Sequence, residues 1–423
     1  MASNFTVVNP CENVRITSAI PSHPVLILSL VGFPIVTLFG TIGNVISICI
    51  LNPFGTRVSG HIYLSCLAVF DTMSLLFYMI SFWNIQILKV YLKEINAYGA
   101  IGLLERLVSC SEICSIRIYL TFTFRLLSVW TVVILTMERF LLILFPLRFY
   151  KFLRPKVAWI IMGITTLVIC LSNIPWFFVF DFVERPNCAP GAEPGSKYLF
   201  CRGNKNFYNA RMVEFVFLTV IPCILLLVAN MRIAITLADR RKFWIQPSEH
   251  SVTGNEVELN GEESLAIKES QALAGHLEAQ RKERMLTMRL FLVSVVFCCL
   301  SLPSMVFVSI QTFADKAGSK IYLRGPLADG FHISLLLFAV NLAVNFIIYC
   351  CVGHVFRRAF WALCTCRYAL FHRLRTALYT DTTEVSDLDD GSNVNLTGVN
   401  ARKRRSTGAE KKLRTQPLLR KND

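Results

Sequence analysis

Asp71 stands inside an apolar run at 62–82 of this 423-residue chain, and amides and hydroxyls interrupt other apolar runs at Asn44, Ser128, Asn341, Asn345 and Tyr349. A charged side chain near the centre of a bilayer costs on the order of 2.5–3.5 kcal/mol on insertion scales, so residues of this kind invite a functional explanation. Asp71, Ser128, Asn341 and Asn345 together offer hard oxygen ligands and water contacts for a small cation, or simply a hydrogen-bonded polar core. The spacing of four puts Asn341, Asn345 and Tyr349 on one helical face. A second set is ionic. Arg139, next to Glu138, sits near the end of the run at 118–144, where a fixed guanidinium can pair with carboxylates and be released when helices move. Arg117 and Arg125 place further charges in the first half of the third run's helix, and Glu214 in the first half of the fifth's.

The elements that must position these residues are membrane helices. Hydrophobic residues make up 54% of the chain and charged residues 17%, against about a quarter charged in soluble domains. Seven apolar stretches, at 25–50, 62–82, 118–144, 157–180, 215–233, 290–313 and 327–351, each reach the roughly 20 residues that cross a bilayer as a helix. Backbone amides in lipid must be satisfied within the segment, and barrel strands would be shorter and alternating, so the expected fold is all-α. No cleavable signal peptide is expected, because the first apolar run is too long for a signal core.

The net charge of +15 gathers mostly on one side of these helices, at Arg57, Arg148, Lys151, Arg154, Lys156, Arg240, Arg241, Lys242, Arg281, Lys282, Arg284, Arg357 and Arg358. That side is expected to be cytoplasmic, and the charge is not read as a nucleic-acid surface. Residues 1–24 then lie outside, where Asn4 heads a glycosylation sequon, and Cys11, Cys110, Cys114, Cys188 and Cys201 fall in outer segments. The bundle is expected over 25–352, with a polar inner loop at about 238–280. An amphipathic surface helix follows at 353–366, carrying Phe356, Phe360 and Trp361, and then a largely disordered tail at 367–423. Cys364 and Cys366 are juxtamembrane candidates for palmitoylation.

Several motifs in order resemble those of rhodopsin-like G-protein-coupled receptors, from Gly43 to Phe360. They are Gly43-Asn44, the segment Leu67 to Asp71, Glu138-Arg139-Phe140 with Pro146 and Leu147, Trp159, Pro222, Pro303, and Asn345 to Tyr349. Cys114 lies 25 residues before Arg139, the family's spacing for its third-helix cysteine. Departures stand at Phe346, where a proline is usual, at Ser301 in place of a tryptophan, and at Asn230 in place of a tyrosine. Such departures are familiar among invertebrate neuropeptide receptors.

The resemblance implies a plasma-membrane receptor with an extracellular ligand and a heterotrimeric G protein as partners, and arrestin and receptor kinases beside them. It identifies the small cation as an allosteric sodium ion held by Asp71 and Ser128; no other cofactor is expected. It makes Glu138, Arg139, Phe140, Glu283, Asn345 and Tyr349 the coupling switch, with Glu283, 20 residues before Pro303, holding Arg139 at rest. It pairs Cys114 with Cys201, which leaves Cys188 for Cys11, or alternatively pairs Cys114 with Cys188. Arg117, Thr121, Arg125, Glu214 and His332 are ligand-pocket candidates, although Arg125 and Glu214 also suit a structural pair. Ala339 occupies the position of the retinal-binding lysine of opsins, and Thr121 that of the aspartate of amine receptors, which disfavours both ligands. A peptide similar to the FMRFamide-like class is expected. The alternatives are a lipid or other small molecule, or an ion-coupled transporter, for which neither inverted repeats nor broken helices are evident. An enzyme is not expected, since no H-E-x-x-H, G-x-S-x-G or phosphate-binding glycine loop is present.

Overall fold

The computed structural model describes residues 20–51, 54, 58–109, 111–149, 154–186, 195, 197–245, 291–314, 317 and 325–379. All of them fall in one unit, Met1–Tyr379. Among them, six helices are long and apolar enough to cross a membrane. They comprise α1 (His23–Leu51), the span Ser59–Glu94 that begins with α2 (Ser59–Tyr78), α5 (Ser111–Leu144), α7 (Pro155–Ser172), α10 (Phe291–Ala314) and α11 (Pro326–Val352). The remaining span is α8 (Phe207–Phe215), π-helical Val216–Val220 and α9 (Ile221–Ile245) in succession, with a shorter apolar stretch at Ile221–Thr236.

Burial separates the central helix from the peripheral ones. In the apolar windows, 67% of α5 is buried but only 22% of α1 and of α7. Leu38, Phe39, Ile160, Ile164 and Leu167 are exposed on the last two. Apolar faces of that extent are stable in lipid, not in water. A single turn, α6 (Pro146–Phe149), follows α5; α5 packs against α2, α7 and α9, and α1 against α2 and α11. The close α1–α11 contact depends on small residues: a Cβ on Gly40 would lie 2.6 Å from the Ala343 Cβ, and one on Gly43 would lie 2.9 Å from the Phe346 Cβ.

The elements differ from the sequence expectation in several places. The second span continues beyond residue 82 as π-helical Met79–Leu88 and α3 (Lys89–Glu94), and an additional helix, α4 (Tyr98–Ser109), follows a turn in which Asn96 adopts a φ of 55°. The α-helix of the fourth span, expected to residue 180, ends at Ser172. Pro175 lacks the amide to continue it, Asn173 Nδ2 donates to the Ile169 carbonyl, and Ile174–Phe177 tighten into a 3₁₀ turn. Phe180–Pro186 (β1) then pairs antiparallel with Lys197–Gly203 (β2), Phe182 opposite Cys201, so a hairpin covers this end of the bundle. α9 runs to Ile245, into the segment expected to open the inner loop at 238. At the opposite end, α12 (His354–Cys364) forms as expected. The chain then turns into α13 (Tyr368–Tyr379), a helix in what was expected to be tail. Short amphipathic helices of this kind carry no long apolar run to announce them.

Candidate functional site

The functional residues proposed from sequence form three layers along α5. From Arg125 to Ser128 is about 4.5 Å of helix and from Ser128 to Arg139 about 16 Å, at 1.5 Å rise per residue.

Nearest the hairpin end, α5 contributes buried Arg117, Thr121 and Arg125. The Thr121 hydroxyl donates to the Arg117 carbonyl at 2.8 Å and shares a 2.8 Å hydrogen bond with Ser81 from the π-helical stretch. Arg125 is 3% exposed, with its Nη1 3.7 Å from Glu214 Oε1. Its guanidinium carbon lies 4.7 Å from the Phe338 ring centre and 5.9 Å from that of Tyr78, and Nη2 reaches the Met305 Sδ at 3.5 Å. Glu214 is held more closely by Arg211, whose Nη1 donates to Oε2 at 2.9 Å. His332 is buried in α11. Arg125 and Glu214 therefore meet. Sequence reasoning missed Arg211, although its i,i+3 spacing to Glu214 was a readable signal.

The middle layer centres on Asp71, 1% exposed. Ser128 Oγ donates to Oδ1 at 2.5 Å and Asn345 Nδ2 donates to Oδ2 at 2.6 Å, tying α2, α5 and α11 together. Asn44 Nδ2 donates to the Leu342 carbonyl at 3.2 Å, and its buried Oδ1 has no hydrogen-bond partner among the described residues. Asn341 is buried in the same helix as Asn345. One buried carboxylate beside a hydroxyl suits a small monovalent cation in charge and hardness. Among the described residues no group of three or more His, Cys, Asp or Glu is placed to bind a multivalent metal.

At the α12 end, Ser59 Oγ donates to Glu138 Oε1 at 2.6 Å, and Glu138 Oε2 lies 3.8 Å from Arg139 Nη2. The Arg139 guanidinium presses on the start of α2, where a Cβ added to Gly60 would lie 2.8 Å from Nη2. Thr136 and Ser294 share a 3.0 Å hydrogen bond between α5 and α10. Phe140 is half-buried and Tyr349 is buried, with its ring 5.8 Å edge-on from Phe356. Phe346 fills the α11–α12 corner, its ring centre 6.0 Å from Phe356 and 5.2 Å from Phe360.

Cys114 is disulfide-bonded, and none of the other described cysteine side chains is its partner. Cys201 is described by its backbone only; Cys11, Cys110, Cys188, Asn4 and Glu283 lie outside the described residues. Cys364 and Cys366 are exposed beside the α12–α13 turn.

With this arrangement of seven spans and three polar layers, the sequence matches the model of the 7 transmembrane receptor (rhodopsin family) over residues 43–349. The chain belongs to that family. This rhodopsin-family protein is therefore a multi-pass membrane receptor and not an enzyme. No curated protein matches its sequence.

Proposed function

We propose that this receptor sits in the plasma membrane with its N-terminus outside, binds an extracellular peptide at the hairpin end of the bundle, and activates a heterotrimeric G protein at the α12 end. The observation that carries the coupling half is the Ser59–Glu138–Arg139 chain packed on Gly60. It holds the buried arginine inward, closing the surface that a cytoplasmic partner would have to enter. The Thr136–Ser294 bond ties α10 to the same helix and must yield if α10 swings out. A ligand drives that change only by binding the open arrangement more tightly than the closed one. Arrestin and receptor kinases would use the same inner surface, and Glu283 would add a carboxylate from the sixth span to Arg139.

The peptide half rests on the buried ions of the hairpin end. Arg117, Thr121, Arg125, Glu214 and His332 offer charge and hydrogen bonding suited to a peptide, while Thr121 and Ala339 stand where an amine or retinal would need an acid or a lysine. Asp71 and Ser128 would hold a sodium ion in the middle layer; when bound, the ion would supply a positive charge that favours the closed arrangement. Surface-expressed full-length receptor, screened against a library of neuropeptides for nucleotide exchange on G proteins, tests the reading with Arg139→Ala as control. A saturable response that Arg139→Ala abolishes supports it. Solute flux without nucleotide exchange would instead favour a transporter, and a response only to lipids or other small molecules would remove the peptide.

A further inference from the structure

The cluster at the hairpin end has more cation than anion. Arg125 and Arg211 flank the single carboxylate of Glu214, which takes its short hydrogen bond from Arg211 at 2.9 Å and stands 3.7 Å from Arg125. A guanidinium carries five N–H donors. Among the described residues the Arg125 donors find only the Met305 thioether within hydrogen-bond range, and Nε has no partner, although the side chain is 3% exposed. Faces of Phe338 and Tyr78 offset part of the buried charge but accept no conventional hydrogen bond. A buried guanidinium left short of oxygen acceptors is costly, and a second carboxylate would satisfy it bidentately. An incoming ammonium would meet two guanidiniums around one carboxylate, whose Oε2 is held by Arg211 and whose Oε1 faces Arg125 at 3.7 Å.

We propose that the ligand of this receptor carries an acidic group, a carboxylate or its sulfate or phosphate equivalent, which seats on Arg125 beside the Arg211–Glu214 pair. This rests on the reading that the hairpin end holds the ligand site, and it specifies the chemistry that site selects. The acid of a peptide and the acid of a fatty chain share that chemistry. Met305, which touches Arg125, lies in α10 two residues beyond Pro303. An anion that draws the guanidinium away from the Met305 sulfur thus acts directly on the helix whose other half bonds to α5 through Thr136.

The test uses purified full-length receptor, with thermal unfolding read against butyrate, butyramide and butylamine at equal ionic strength. Butyrate alone is expected to raise Tm, by about 2 °C at several times its Kd. The rise should vanish in Arg125→Gln and persist in Lys197→Gln, whose cation is exposed on the hairpin. Because Arg125→Gln leaves Glu214 with one partner fewer, the double variant Arg125→Gln/Glu214→Gln, which removes both charges, is measured beside it. Equal shifts for butyrate and butyramide, or a butyrate shift retained in both Arg125 variants, would overturn the proposal. In cells, peptides and fatty acids are then compared with their neutral amides. Loss of the acid should reduce potency about tenfold to a hundredfold in the natural sequence and not in Arg125→Gln. Activation by fatty acids alone would remove the peptide reading and leave the acid standing; an activating peptide indifferent to amidation would do the reverse.

Discussion

The guanidinium of Arg139 and the backbone of Gly60 are so close that a single methyl group separates two outcomes. Gly60→Ala places a Cβ 2.8 Å from Nη2, and the far end of a long side chain gives way more readily than α2 does. Folding should be nearly unchanged, while the arginine is displaced from its seat. The expected outcome is normal surface expression with raised basal nucleotide exchange, and basal exchange equal to that of the natural chain would count against the closed-state role of this contact. Asp71 offers a sharper separation of charge from geometry. In Asp71→Asn the amide oxygen can accept from Asn345 while the amide nitrogen donates to Ser128, so both bonds survive in kind. Tm should change little, whereas any stabilisation by sodium chloride over choline chloride should disappear. Equal sodium sensitivity in both proteins would remove the cation from the middle layer. The sequence exposed Asp71, Ser128 and Asn345 because polar groups are conspicuous in apolar runs. Gly60 was not conspicuous, since a glycine near a helix start has ordinary reasons to be there, and Arg211 was legible only through its spacing to Glu214.

Helices meet in this protein where side chains are smallest. Gly40 on α1 would bring a Cβ within 2.6 Å of Ala343 and 2.8 Å of Leu75, so two neighbouring helices close on one position. Gly40→Leu should force them apart at a cost of about 1–3 kcal/mol or more, typical of overpacking. Surface expression should fall sharply, and retention of normal expression and Tm would mean that α1 can shift without penalty. The disulfide at Cys114 anchors the hairpin end of α5 in a different way, by constraining the unfolded chain. Cys114→Ser should cost about 2–5 kcal/mol, seen as a lower Tm and poor ligand response even at matched expression. The long spans were legible because lipid demands about 20 apolar residues in a row, a signal that survives without tertiary information. α4 and α13 were not legible, since their short amphipathic patterns are stabilised by what they pack against, as buried Leu374 shows for α13. Nor was the π-helical stretch Met79–Leu88, which holds Ser81 against Thr121 and carries no glycine or proline to mark it.

Charge distribution decides which end of the whole bundle faces the cytoplasm. Arg148, Arg154, Lys156, Arg357, Arg358, Arg367, Arg373 and Arg375 cluster at the α12 end among the described residues, and α12 and α13 contain no acidic residue. The hairpin end carries Lys89, Lys93, Lys197, Arg202 and Lys205, but with Glu94, Asp181 and Glu184 among them, and Lys197 is paired with Glu184 at 2.9 Å. Lys and Arg in the short segments flanking helices resist translocation whatever acids stand among them, and the eight cations named at the α12 end outnumber the five at the hairpin end. The Arg357 guanidinium adds a local reason, donating to the carbonyls of Cys350 and Cys351 at 2.8 and 2.9 Å and so fixing α12 against the end of α11. An epitope placed before residue 20 should therefore stain on intact cells, and one placed after residue 379 only after permeabilisation. The reverse pattern would put the Arg139 layer outside the cell, where no G protein could reach it, and the functional assignment of both ends would have to be exchanged. Replacing Arg357, Arg358 and Arg367 by glutamine should leave the expected orientation in place, because Arg57, Arg148, Lys151, Arg154, Lys156, Arg240, Arg241 and Lys242 keep the cations expected inside in excess. A mixed population in that variant would show that the α12 end contributes more to insertion than the loops between the earlier spans.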